Sequence, residues 1–509
     1  KPQDNLGMTK KNDLDFLLEP RRQSSIAIFL ILLKSFRVIL SQAWPIFIAL
    51  IFNPTKSKDT YFALVIIGIT AASAIRSIIL YFKFYYYVKD DELIIEKGIF
   101  QKTKLNVPFD RIQTINFKEN ILHQFFNVVS LEIDTAGSKG NELSITALKK
   151  DKAIAIREFL LSQKKSIPPI LFSAEELEEE IETPEEELLH LSSIDLIKIG
   201  VSQNHLKTAA IVFAFMFTSM DYIENITGWK LEDGIDSILG SSSNTLLIGL
   251  ITIGPAFVII AFLISLVRTV FRYHELRFIK TSIGFKVISG LFTRNEQSAT
   301  IQKIQLIRWT TNPIKKFFSL FDISLRQAAS TAIARKQSIY IPGCFEEQLS
   351  SVRATYFPEE SQLSFEQHVI HPLVIYRRVL YFGLIPAGFF LLSKYLENSS
   401  DDYFWAISWV AIVLFISWVY QRNFKYFVSD EGIRISTSII GKTETLLKWF
   451  KIQGIEIQQG IYQRRKELCN LVFYTAAGTV KIPYIELKKA KRMKNFILFK
   501  IENSEKPWM

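Results

Sequence analysis

At 509 residues the chain is too long for one ordinary domain. Its residues are 49% hydrophobic, 41 of them phenylalanine, and its mean hydropathy is positive, which points to a membrane protein. Two cysteines, Cys344 and Cys469, leave no room for a disulfide framework or a CxxC metal site, and the net charge of +11 suits contact with an anionic surface.

In chain order, residues 1–24 form a polar N-terminal segment, and no small-residue cleavage site follows a short apolar core, so no secretory signal is expected. Ser25–Val38 is apolar, with Lys34 and Arg37 placed to snorkel, and Val38–Phe52 contains no charge. Tyr61–Phe82 completes a first helical hairpin (25–83). The pattern recurs in Thr208–Met220 with Asn244–Val267 (hairpin 192–270), and in Val379–Ser393 with Tyr403–Tyr420 (hairpin 359–421). Six transmembrane helices are expected. Basic residues gather at one end of the hairpins: Arg76 and Lys83, Arg268 and Arg272, Arg377 and Arg378, Arg422 and Lys425. The positive-inside rule places that end, and both termini, in the cytoplasm.

A soluble stretch follows each hairpin: residues 84–162, 271–358 and 422–503. These are copies of one unit, and internal repetition governs the whole reading. Ile112-Gln113, Ile304-Gln305 and Ile452-Gln453 fix the register, and Gly98 to Gln113 spans 15 residues, as Gly290 to Gln305 does. Leu131, Ile133 and Thr135 alternate with Glu132 and Asp134, which predicts a strand with one wet face. The run 118–126 interrupts the strands with a short helical element, and each unit closes on a helix. Six or seven strands and a terminal helix describe a small β-sandwich or barrel. Between the first unit and the second hairpin lies a linker (163–191) with nine glutamates from Glu175 to Glu187, expected to be solvated.

The runs DELIIEKGIF, VPFDRIQTI and LEIDTAG of the first unit resemble the bacterial pleckstrin-homology domain known as bPH2. Threefold repetition after paired spans is similar to the YdbT family of bacterial membrane proteins. The second copy departs at 326–329, where it reads RQAA, and the third is shorter between Gly441 and Lys451. The resemblance implies a PH-like fold, a place in the bacterial inner membrane, no assigned enzymatic activity, and a hetero-complex with a smaller membrane protein carrying a single bPH2 domain.

The search for chemistry returns no site. His123, His190, His205, His274, His368 and His371 show no metal-ligand spacing. Neither GxSxG nor a phosphate loop occurs, GSSSN at 240–244 is a polar turn, and Asp90-Asp91 lies in a turn. No catalytic residue, metal or cofactor is expected. Ion-coupled transport is disfavoured, because the uncharged cores carry only Arg76 near one end. Nucleic acid is disfavoured for want of a basic groove interleaved with aromatics. Contact with membrane lipids through the basic residues at the hairpin ends, and through Lys488, Lys489 and Lys491 of the last helix, leads to the expectation of a non-enzymatic membrane-anchored platform. The alternative is a lipid-handling transporter whose hairpins line a lipid path.

Overall fold

The computed structural model describes residues 17–33, 35–36, 58–99, 101–135, 143–165, 186–203, 205, 208–212, 214, 245–328, 339–396 and 403–503. The uncharged run 38–52, the turn that follows it, the acidic loop 221–236, the GSSSN turn and most of the acidic linker lie outside these residues.

Each unit is built from two three-stranded antiparallel layers and a closing helix, and in the second and third units a further strand flanks the outer edge of the first layer. In the first, β1 (Tyr85–Lys89), β2 (Glu92–Lys97) and β3 (Thr103–Pro108) are followed by a 3-10 turn. Then come β4 (Ile112–Asn120), the short helix Ile121–Phe125, β5 (Val128–Thr135), β6 (Leu143–Lys149) and the helix Lys150–Lys165. Alternation holds as expected: Leu131, Ile133 and Thr135 are buried. Gly98 takes a φ of 124° at the turn between β2 and β3, a conformation open to glycine, and a Cβ there would meet Gln101 O at 1.9 Å. The second unit contains β7 (Glu186–His190), β8 (Arg277–Thr281), β9 (Gly284–Ser289), β10 (Thr293–Thr300), β11 (Ile304–Thr311), β12 (Phe321–Gln327) and β13 (Ile339–Cys344), closed by Glu346–Tyr356. The third contains β14 (Glu366–Val369), β15 (Lys425–Val428), β16 (Gly432–Ser438), β17 (Lys442–Lys448), β18 (Ile452–Gln458), β19 (Leu468–Thr475) and β20 (Gly478–Glu486), closed by Leu487–Glu502.

In the second and third units the first strand precedes the hairpin rather than following it. β7 pairs with β8 and β14 with β15, although a hairpin separates them in sequence. In the first unit Arg21 exchanges two backbone hydrogen bonds with Tyr86, at 2.9 and 3.0 Å. The same leading segments then reach the last strand, with Ser24 N donating to Ala147 O (3.0 Å) and His371 N to Tyr484 O (2.9 Å). Each hairpin is thus inserted into its unit. The acidic linker accordingly ends as a strand: Glu186 and Glu187 open β7.

A buried polar pair seven residues apart recurs in all three units with different chemistry. It joins the third residue of the short mid-unit helix to the second or third residue of the next strand. In the first unit His123 Nε2 meets Ser130 Oγ at 3.1 Å, and burial lowers the imidazole pKa so that the ring stays neutral. In the third, Gln463 and Asn470 exchange amide hydrogen bonds of 2.9 and 3.2 Å. In the second, Lys315 forms an ion pair with Asp322, both side chains 6% exposed. Asp322 also accepts from Tyr340 Oη at 2.5 Å and from Gly343 N at 3.3 Å. Burial, and then the neighbouring carboxylate, push the Tyr340 phenol far upward, which keeps it an O–H donor.

Two predicted features are corrected. The first is the closed module. β4 leaves its own unit to pair with β10, and β11 pairs with β17, giving two seven-stranded sheets ordered β6-β5-β4-β10-β9-β8-β7 and β13-β12-β11-β17-β16-β15-β14. Among the described residues no sheet closes into a barrel, because the edges of β4, β10, β11 and β17 are taken by strands of the neighbouring unit. At the second junction six residue pairs run from Leu306↔Leu447 to Thr311↔Lys442. The cores interlock there: Leu306 lies in the third unit's core and Leu446 in the second's. Trp309 Nε1 donates to Glu444 (2.8 Å), and Lys451 Nζ donates to Gln302 O (2.6 Å), with burial pushing that ammonium down to about 8. At the first junction only Thr293↔Asn120, Arg294↔Glu119 and Asn295↔Lys118 pair. There Thr114 and Ser298 occupy the places of Leu306 and Leu446, and Arg157 and Lys286 hold Glu296 at 2.7 and 3.4 Å.

The second correction concerns the count of spans. Among the described residues two helices are long and apolar enough to cross a membrane, Leu373–Leu396 and Tyr403–Asn423, rather than six. The fold is mixed α+β. Apolar length alone misled the reading of two other segments. Thr245–Tyr273 packs along Ser193–Ser202, burying Ala261, Ser265 and Thr269, so its C-terminal half meets protein. In Lys58–Phe82 the described apolar stretch is only Gly68–Phe82 and carries an exposed Arg76.

Candidate lipid-facing cleft

The helices Leu373–Leu396 and Tyr403–Asn423 keep only 11% and 17% of their most apolar windows buried. Helices this apolar and this uncovered are not core helices of a soluble domain. Tyr395, Tyr403 and Trp405 are exposed at one end and Tyr376 and Tyr381 at the other, the amphipathic belts expected at two interfaces.

The first of these helices is interrupted by a π-helical stretch, Val379–Leu384, in which Ile385 N–H bonds back to Leu380 O. Such a stretch breaks the regular ladder of backbone bonds. Trp409 of the second helix repairs it from outside, its indole Nε1 donating to Phe382 O at 2.9 Å. Trp409→Phe should lower the stability of the detergent-solubilised protein by roughly 1 kcal/mol, read as a shift in its unfolding midpoint. An unchanged midpoint would mean that the indole bond contributes nothing.

Where this hairpin meets the third unit there is a cavity of about 510 Å³. Arg377, Arg378, Tyr381 and Tyr420 line it from the helices, and Asn470, Lys481 and Tyr484 from β19 and β20. Arg378 stacks over the Tyr420 ring at 4.3 Å, and its Nε is buried with no hydrogen-bond partner among the described residues. The β20 wall is fixed by the polar pair described above, since Asn470 Oδ1 accepts from Tyr484 N at 3.2 Å, and Tyr484 holds a φ of 52°. Lys481 Nζ donates to Gln458 at 3.4 Å from an exposed position. Three cations therefore face a space edged by apolar and aromatic side chains, the arrangement that accepts an anionic group attached to an apolar body.

Of the basic residues singled out in the sequence, this cleft gathers Arg377 and Arg378. Arg422 lies exposed over Trp418 at 5.1 Å, and Lys425 opens β15. Arg76, Lys83, Arg268 and Arg272 are exposed near the ends of the other two hairpins. Lys488, Lys489 and Lys491 are exposed on the closing helix, with Lys489 3.8 Å from Glu486, and they do not line the cleft. Sequence reasoning missed Lys481 and Tyr420. Period-two alternation in β20 places Lys481 outward, but nothing in the sequence brings β20 beside the hairpin. Among the described residues no group of three or more His, Cys, Asp or Glu side chains could hold a metal ion.

The sequence profile described as Bacterial PH domain matches residues 28–164, 243–359 and 382–500. The chain belongs to the bacterial PH domain family. These bacterial PH repeats also align with the UPF0699 transmembrane protein YdbT of Bacillus subtilis (strain 168), with 23% identity over 470 residues, covering 91% of this chain and 93% of that protein.

Proposed function

We propose that this bacterial PH protein is a non-enzymatic, membrane-anchored platform, whose third hairpin holds its modules at an anionic leaflet and whose cleft takes a lipid phosphate headgroup. The observation that carries the reading is the convergence of Arg377, Arg378 and Lys481 on one cavity at the end of an exposed apolar hairpin. The Nε of Arg378 supplies a buried donor with no acceptor among the described residues. A phosphate oxygen would satisfy that donor, while the acyl chains would lie along the uncovered helix faces.

The test is lipid identification on protein purified from membranes containing phosphatidylglycerol. The protein should retain anionic lipid several-fold over zwitterionic lipid, and Lys481→Gln should cut that ratio at least about threefold, the loss of one charge-assisted bond of about 1 kcal/mol. Lys481 lies on a strand, so its replacement leaves the helix-end charges that set topology in place. Equal retention by Lys481→Gln and the parent would reject the cleft as the binding site.

A further inference from the structure

The two internal junctions obey one rule. The third strand of a unit's first layer (β10, β17) pairs antiparallel with the first strand of the preceding unit's second layer (β4, β11). Even the register is shared: Asn295↔Lys118 and Thr443↔Thr310 are equivalent pairs, each member six residues from its 3-10 turn boundary. The ends of the chain hold the two unused halves of that rule. Among the described residues β3 has a strand partner only in β2, and β18 only in β19.

From this continuity we infer that copies of this chain associate head to tail in the membrane plane, β18 of one copy pairing antiparallel with β3 of the next. The rule sets the register as Thr103↔Gln458 and Lys104↔Ile457. A second copy is the occupant the structure argues for, because both complementary edges are present in one chain and the same joint already forms twice within it. The contact is heterologous, so it propagates instead of closing as a two-fold dimer. Gly454 and Asn106 stand where Leu306 and Leu446 interlock at the second junction. The new joint therefore resembles the polar first junction, and its occupancy depends on the high local concentration that a membrane imposes. This inference does not rest on the lipid site.

Cysteine pairs test it in full-length protein reconstituted into phosphatidylglycerol-containing vesicles. The native thiols, Cys344 and Cys469, are buried and can stay. Directly opposed strand residues lie within disulfide reach. On mild oxidation, differently tagged Thr103→Cys and Gln458→Cys proteins should give a mixed dimer several-fold above that from Thr103→Cys with Gln453→Cys. The double variant Thr103→Cys/Gln458→Cys should give a ladder of dimers, trimers and larger species. Lys104→Cys with Ile457→Cys provides a second pair if either first variant fails to match the parent's thermal unfolding. Three results would overturn the idea: mixed dimer no higher than the Gln453→Cys control, equal dimer from Thr103→Cys alone, or closure of the double variant within a single chain.

Discussion

Asp322→Ala should be among the most damaging single substitutions in the soluble part of this protein, destabilising it by about 3–5 kcal/mol. The carboxylate is buried, and it receives the Lys315 ammonium, the Tyr340 hydroxyl and the Gly343 backbone N–H. Removing it leaves an unpaired buried cation and two unpaired donors, and that desolvation penalty exceeds what the pair itself contributes. The other units show how the site can be rebuilt. Lys315→Gln with Asp322→Asn installs the amide pair that the third unit uses at Gln463 and Asn470, and the double variant should recover most of the loss. Chemical unfolding of both variants in detergent checks this. If the double variant is as unstable as Asp322→Ala, the loss comes from packing and not from the stranded charge.

Leu446→Ala should cost about 2–5 kcal/mol, the range for a buried leucine truncated in a packed core. Leu446 is fully buried, and it belongs to the second unit's core although its strand belongs to the third. The cavity therefore weakens the joint as well as one module, and the two units should lose their common unfolding transition. Ser298→Ala, at the equivalent place in the first junction, should change stability by less than about 1 kcal/mol. The Ser298 backbone N–H donates to Asn116 Oδ1 at 3.3 Å and survives the substitution, and only the longer hydroxyl bond to the same oxygen, 3.5 Å, is lost. Hydrogen exchange resolved by module would separate the outcomes. Similar effects of the two substitutions would show that the interlocked leucines do not set the strength of the second joint.

The repeat was legible because each copy carries its own local signals. Alternation marked β5 in Leu131, Ile133 and Thr135, and amphipathic runs marked the closing helices. The Ile-Gln pairs fixed the alignment at the start of β4, β11 and β18. The basic ends of the third hairpin were also visible, and Arg377 and Arg378 do line the cleft. Lys481 could not be found this way, because it reaches the hairpin only through the fold of the third unit. Nor could the strands Glu186–His190 and Glu366–Val369 be assigned to the units that follow them, because their partners lie beyond a hairpin. The span count failed for a related reason: an apolar helix face reads the same whether lipid or Ser193–Ser202 covers it.

The amino-acid sequence by itself determined the threefold unit, its strand-and-helix content and the third apolar hairpin, read as Val379–Ser393 with Tyr403–Tyr420, since these rest on periodicity and composition over contiguous residues. Only the tertiary structure decided which strand edges meet. An edge exposes the same backbone N–H and C=O groups whatever its side chains, so the sequence does not say whether β4 pairs within its unit or with β10. That choice joined three small sandwiches through two shared seven-stranded sheets, and it leaves β3 and β18 as the ends of an unfinished series.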